Sequence, residues 1–500
     1  MMPPPILKRS DARAVIMVSS AAFITRLMPE FWSPYPVGYD IPLYVVKAAH
    51  FWEGSILSII SEPPLTYILL WGVHALGLDL YIAIKIVASL FYGFLIASFY
   101  YFLRSYLGWD VNKSMFCALL CAFQPTALRI SWDLLKNELG IAFLLLFIAI
   151  FSKQMKRKVL ILAALALLVS LTHELPTVLM FLFVVYEVLR SGRVGSYALK
   201  LVLIMVPAAV FFIGQVCFFL NLIKTPCAVG SREILWLRRS LSGSEPLFDT
   251  AFPRNYFIER PFRSASWGDV VIYVLLMFVF CFPTLLPLIP LGLKRHGSFD
   301  VLVAWMAFAS FSVIACPQAY PFAHFFRWML MMVFPLVIYV TEGTLKLVQR
   351  TGKRAVLALV LAINAALGVA YANGFSHIRF FPPMMAYMPD RMTYSTMELY
   401  QIDDCLACLD WLNQHAEPGS ILVVEQRFLA WALGRLGEHV SIAGYRADVP
   451  LDEVELSPVL SAYEHVYTIW YSDQTPSWRG RPTIKIFESG CWAIYKFVRG

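Results

Sequence analysis

Charge is scarce in this chain. Only 15% of its 500 residues are Asp, Glu, Lys or Arg, and 59% are hydrophobic. An ordinary soluble domain carries about 25% charged residues. The mean hydropathy of +0.65 therefore argues for a protein of the bilayer, in which spans and loop charge carry the organisation. A paired cysteine framework is missing as well. The nine cysteines are scattered, odd in number and mostly set in apolar runs, where a thiol behaves as a small hydrophobe. No G-x-x-x-x-G-K-[ST] loop, no G-x-G-x-x-G after a strand and no H-E-x-x-H helix occurs. These absences disfavour an ATP-driven pump, an enzyme of cytosolic nucleotide sugars and a zinc hydrolase. Internal repeats and low-complexity tracts are lacking too. The first apolar run has no small-residue cleavage site before Arg26 and Pro29, so it reads as a retained span.

What is present is a succession of apolar runs. A span needs about 20 such residues, with a range of about 17–25. Runs at 12–29, 80–103, 114–129, 138–152, 159–172, 175–189, 199–222, 268–291, 299–316, 325–345 and 355–372 predict eleven spans. The run 64–77 is only about 13 residues long and predicts a re-entrant or surface-lying helix. With that run not crossing and the N-terminus in the cytoplasm, every inside loop is basic. They hold Lys8/Arg9/Arg13, Arg104/Lys113, Lys153/Lys156/Arg157/Lys158, Arg190/Arg193/Lys200, Lys294/Arg295 and Lys346/Arg350/Lys353/Arg354. If 64–77 crossed, the positive-inside rule would fail repeatedly. The net charge of +8 thus belongs to cytoplasmic loops and not to a nucleic-acid partner. The expectation is a multi-pass protein of the cell membrane with its C-terminus outside.

Residues 376–500 are polar enough to form an external domain. DDCLACLDWLNQHAEPGS predicts a helix stopped by Pro418-Gly419, SILVVE a buried strand, and FLAWALGRLG a second helix. HVSIAG, HVYTIWY, TIKIFE and CWAIYKFV predict further strands, giving a small C-terminal extracytoplasmic α/β domain. Cys405-x-x-Cys408 lies on the first helix with no second pair to complete a metal site.

Candidate chemistry sits at the external ends of spans. In the loop 30–79, Tyr39-Asp40 follows Gly38, and Pro36 and Pro42 stiffen the chain. A held carboxylate above the headgroups suits a general base that takes the proton of an acceptor hydroxyl. A lipid phosphate leaving from the sugar needs cations, not an acid. A single base with direct displacement implies inversion. In the link 131–138, Asp133 and Glu138 could bind a divalent metal or the donor sugar; equally, Asp133 could cap the next helix and Glu138 favour its positive end. His173-Glu174 could hydrogen-bond phosphate or hold metal, though metal usually needs three or more ligands. His324 and Arg327 open the span at 325. Arg327 could clamp a phosphate with its planar fork or simply snorkel. Arg26 and Lys47 are weaker candidates of that kind. The residues fix no cofactor; a divalent magnesium or manganese ion could be held by Asp40, Asp133 and His173. The basic loop at 223–267 could close over an anionic lipid or rest on headgroups.

The span ending in Arg26-x-x-Pro29, the loop with Tyr39-Asp40, an amphipathic stretch, and then Pro63-Pro64-Leu65 opening a short surface helix together resemble the GT-C superfamily of membrane glycosyltransferases. That superfamily includes protein mannosyltransferases, aminoarabinose transferases and oligosaccharyltransferases. The resemblance spans about 12–370, and the tail is similar to external domains of archaeal members. It implies that Asp40 is the catalytic acid of the first external loop, that the link 131–138 carries a second acid, and that the donor is a polyprenyl (dolichyl-type) phosphate sugar within membrane lipid. The Trp-Trp-Asp-Tyr-Gly motif of oligosaccharyltransferases is missing, which counts against en bloc transfer to asparagine. A secondary transporter or flippase-like protein, and a catalytically silent scaffold, are the alternatives. The marks of a transporter, inverted repeats and charges at mid-membrane, are not visible.

Overall fold

The structure is a computed structural model. It describes residues 9–53, 62–153, 155, 157–191, 196–219, 228–229, 232–237, 267–315, 325–375, 391–445 and 451–498. The main described helices of the membrane part are α1 (Arg9–Leu27), α2 (Ile41–Ala49), α3 (Leu65–Ala75), α4 (Leu80–Ser105), α5 (Val111–Ala122), α6 (Pro125–Asp133), α7 (Leu135–Phe151), α8 (Lys158–Thr172), α9 (Glu174–Ser191), α10 (Ser196–Phe219), α11 (Trp267–Cys281), α12 (Phe299–Ala315), α13 (Phe325–Met331), α14 (Val333–Thr351) and α15 (Ala355–Ala372). Among the described residues, five helices are long and apolar enough to cross a bilayer, and seven if each of two bent pairs is one span. That count stands against the eleven expected. α8 and α12 are apolar but shorter. The 11-residue α3 is about 16 Å long at 1.5 Å per residue, too short for a hydrocarbon core of about 30 Å.

Two expected straight spans are broken. The run 114–129 becomes α5 and α6, bent by 61°. Pro125 occupies the first turn of α6 and lacks the N–H that would continue the ladder. The run 268–291 bends by 88° after Cys281, where Pro283 and Pro287 follow. Unpaired backbone is costly in hydrocarbon, and polar side chains gather at both breaks. Gln124 donates to Asn364 on α15, Thr284 donates to the same Asn364 oxygen at 2.6 Å, and Thr126 donates to the Cys281 carbonyl. The first bend turns α6 away from the axis of α5.

The bundle packs α1 and α7 on α4, and α8 on α7. Gly93 of α4 lets α1 approach: a Cβ there would lie 3.0 Å from the Ser19 carbonyl oxygen. α13 and α14 together are almost wholly buried and form the central post.

The tail folds as the sequence predicts, with helices α16 (Ile402–His415), α17 (Gln426–Arg435) and α18 (Ser457–Ala462) on a six-stranded sheet. The strands are β1 (Leu235–Trp236), β2 (Ser420–Glu425), β3 (Val440–Tyr445), β4 (His465–Tyr471), β5 (Thr483–Ser489) and β6 (Trp492–Phe497). Their order is β1-β3-β2-β4-β6-β5. The first four are mutually parallel, and β6 and β5 are antiparallel additions. β2 is buried along its whole length because both faces are covered, as near-continuous apolar strands require. Leu422 and Val424 face α16 and α17, whereas Ile421 and Val423 face Leu456 and Val459 at α18. β1 comes from the loop before α11, so a boundary at 375/376 leaves one strand of this sheet on the other side. The tail core also takes in Val46 of α2, with Tyr35 and Tyr81 packed against it.

Candidate active site

The loop that carries Asp40 is bolted down from both ends. Arg26 closes α1 and pairs with Glu30 at 2.6 Å, and its Nε donates to the Ser131 carbonyl at 3.0 Å. The other Glu30 oxygen accepts from the Val37 N–H at 3.1 Å. Arg26 is wholly buried and ties the loop to α6, and its Nη2 has no hydrogen-bond partner among the described residues. Lys85 adds bonds to the carbonyls of Glu30 and Ser33. Gly38 then adopts φ +125°, which L side chains avoid. A Cβ there would also run into the Trp132 carbonyl. Its N–H donates at 3.0 Å to the carbonyl of Tyr394, a tail residue whose ring stacks on Trp132.

Asp40 occupies the N-cap of α2 but makes no side-chain cap bond. A capping carboxylate accepts from the second or third amide of the helix, and the second residue here is Pro42, which has none. The carboxylate is therefore left at the positive end of a helix, deep among protein groups yet with part of its surface open. Burial, then the charge of Asp133, push its pKa up to about 6, against the pull of Arg327, Arg129 and Lys136. Burial, and then the Asp40 charge, push Tyr39 and Tyr44 well up, so both phenols are hydrogen-bond donors.

Around Asp40 stand residues from four elements. Asp133 ends α6 and pairs with Arg129 one turn earlier; it does not cap α7, whose N-cap residue is Leu134. Lys136 opens α7 and lies 3.0 Å from Glu62 and 4.3 Å from the centre of the Tyr67 ring. Glu62 also holds Lys47 at 2.5 Å and the Tyr67 hydroxyl at 3.0 Å. Burial acts to raise the Glu62 pKa, but Lys47 and Lys136 hold it well below the usual carboxylate range. Lys47 is thus the partner of Glu62. Arg327, on α13, has Nη1 3.3 Å from His173 Nε2. Nδ1 of the same ring lies 3.1 Å from the Leu175 N–H and 3.1 Å from a Glu174 oxygen. The buried Nε of Arg327 has no hydrogen-bond partner among the described residues.

The structure thus gathers Tyr39, Asp40, Asp133 and Arg327, and joins His173 and Glu174 through Arg327. It does not bring in Glu138. Two residues along a helix turn about 200°, so Glu138 points away from the face that carries Lys136. It is fully buried, both oxygens lack a hydrogen-bond partner among the described residues, and the charge it feels is that of Arg26. His324 and the basic residues Arg238, Arg239, Arg254, Arg260 and Arg263 lie outside the described residues. Arg129, Lys136, Glu62 and Tyr44 were missed as site residues. The i,i+4 spacing of Arg129 and Asp133 is legible in the sequence; the bend that aims them is what gives it meaning.

Two expectations of metal chemistry find no support in the donor sets. Asp133 is taken by Arg129 and His173 by Arg327. Among the described residues no three His, Cys, Asp or Glu side chains gather. The described set, two carboxylates facing three cations, does not fit a divalent ion. Cys405 and Cys408 are buried in the tail core, and burial holds both thiols protonated, Cys408 up to about 12, unlike a reactive pair.

No protein-family model matches the chain, and no curated protein does. Solved structures do resemble it. The cryo-EM structure of the arabinofuranosyltransferase AftD from Mycobacteria aligns over 100% of this chain and 40% of its own, with a TM-score of 0.51 at 12% identity. A mutant form of that enzyme aligns over 99% of this chain and 42% of its own, with a TM-score of 0.50 at 12% identity. The chain spans about two fifths of the length of the structures it matches. At such identity the likeness is one of fold: a multi-pass helical membrane protein with a small α/β domain at its C-terminus.

Proposed function

We propose that the chain is an inverting glycosyltransferase. It moves one sugar from a polyprenyl-phosphate carrier to an acceptor outside the cell membrane, with the N-terminus in the cytoplasm and the tail outside. The observation that carries this reading is the Asp40 carboxylate, partly open at a helix N-terminus, beside a second acid and facing three cations. A fold shared with an arabinofuranosyltransferase supports it, and makes a pentofuranose the first sugar to test among pentoses and hexoses.

In this scheme Asp40 accepts the proton of an acceptor hydroxyl as that oxygen bonds to the anomeric carbon. The bond from that carbon to the phosphate oxygen breaks, and the electron pair leaves with the lipid phosphate. Arg327, with a donor to spare, binds the departing charge. Arg129 and Lys136 add to the positive field while paired with Asp133 and Glu62. Glu174 and His173 orient Arg327, and Asp133 keeps Asp40 basic enough to work near neutrality.

The test is transfer by the purified chain in lipid nanodiscs, with a labelled polyprenyl-phosphate pentofuranose or hexose as donor. Asp40→Asn keeps the shape and removes the base, and transfer is expected to fall about 10²–10⁴-fold. Transfer retained by that variant would remove the central claim. Substrate flux in proteoliposomes without sugar transfer would favour a transporter.

A further inference from the structure

In parallel α/β sheets, ligands bind in the crevice outside the carboxyl ends of the strands. The carboxyl ends of β2 and β3 here are Glu425 and Tyr445, which lie side by side in register. Arg427, at the start of α17, bonds Glu425 at 2.8 Å and the Tyr471 hydroxyl at 3.0 Å, with the rings of Phe428, Tyr471 and Trp492 within 5.0–5.4 Å. α17, which carries Arg427, packs on α2, where a Cβ on Gly434 would lie 3.4 Å from Val46. Tyr39, just before α2, feels the charges of Asp40, Glu425 and Arg427.

The edge is chemically unfinished. Tyr445 is 1% exposed, yet its hydroxyl has no hydrogen-bond partner among the described residues; nor has the buried Nε of Arg427. Burying such groups unpaired costs about 1–3 kcal/mol each, so their persistence points to a ligand that pairs them. A carboxylate, a guanidinium and phenols set among aromatic rings match a sugar ring, which offers hydroxyls at its rim and C–H groups on its faces.

Placement decides which substrate this is. The cations Arg327, Arg129 and Lys136 come from helices of the membrane part, whereas Glu425 and Tyr445 belong to the tail. In an in-line displacement the nucleophile enters opposite the leaving group, and its proton must reach Asp40. We propose that the carboxyl edge of the tail sheet, formed by Glu425, Arg427 and Tyr445 and continued by Tyr39, is the acceptor subsite, and that the acceptor it binds is a glycan. This assignment rests on the transferase reading and adds the acceptor class to it.

The experiment uses the full chain in nanodiscs, a labelled polyprenyl-phosphate pentofuranose as donor, and a panel of octyl mono- and disaccharides as acceptors. Tyr445→Phe removes only an oxygen that has no described partner, so its thermal midpoint should stay within about 2 °C of wild type. Its KM for the accepted sugar should rise about tenfold, the effect of one hydrogen bond of about 1.4 kcal/mol, with the KM for the lipid donor unmoved. Glu425→Gln should shift the acceptor KM in the same sense. An acceptor KM unchanged in both variants overturns the proposal. So does a chain that releases sugar from the donor in an Asp40-dependent way but glycosylates no saccharide of the panel. If no Asp40-dependent release occurs at all, the transferase reading fails and this one falls with it.

Discussion

At the residue scale, the Asp40 carboxylate is available because something ordinary has been denied to it. An aspartate at a helix N-cap usually spends its carboxylate on the first free amides. Pro42 takes one of them away, Gly38 turns the chain so that the loop lies against Trp132, and the carboxylate stays available. Its setting has a measurable consequence. The deprotonated form is the base, and its pKa is raised to about 6, so kcat/KM should fall roughly tenfold per pH unit below about 6, two units above an ordinary aspartate. Asp133→Asn removes the raising charge and also frees Arg129, and both changes lower the Asp40 pKa. The acid limb of that variant should therefore move to lower pH; a limb that moves up or stays would contradict the arrangement. Asp40 itself was legible as a lone acid in a proline- and glycine-bounded loop. Lys136 and Glu62 were not, because nothing in their local sequence says that a helix start and a distant loop will meet. Glu138 shows the converse: it stands two residues from Lys136 and faces the other way.

At the element scale, the determining feature is how few of the working side chains sit on regular spans. α6 is a bent-off half-span and α2 and α3 are short helices. The tail's α17 packs on α2, the helix that Asp40 opens. Trp431 of α17 holds the stretch just before Asp40: it is 2% exposed, its indole N–H donating at 2.8 Å to Thr396, with the rings of Tyr35 in that loop and Tyr81 on α4 5.7 and 6.2 Å away. Trp431→Ala should cost about 3–5 kcal/mol and lower transfer, because the loop loses its support at Tyr35. Trp431→Phe keeps most of the buried area, loses a bond worth about 1 kcal/mol, and should retain most activity. Thermal unfolding and transfer rates of the two variants check this; full transfer by folded Trp431→Ala would show that the loop needs no such support. The tail elements could be read one by one, since amphipathic helices and apolar strands carry periodicity. The bends could not be placed by periodicity, because an apolar run looks the same on both sides of Pro125 and Pro283.

At the scale of the whole molecule, loop charge predicts basic loops inside and the catalytic platform outside. A cysteine placed at Tyr400, 73% exposed in the tail, should react with a membrane-impermeant maleimide on intact cells, beyond the background of the parent chain. One at Lys353, exposed between α14 and α15, should react only after permeabilisation. The reverse pattern would invert the orientation. The pairing of β1 with β3 joins Leu235 to Ala443, about 200 residues further along the chain. Translation at about 5–20 residues per second separates the synthesis of those partners by some 10–40 s. Through that interval β1 waits for its partner while the later helices are still being made. Completion of the sheet is thus a late event in biogenesis, and the loop that carries Asp40 gains its tail-side wall only after β3 has been made.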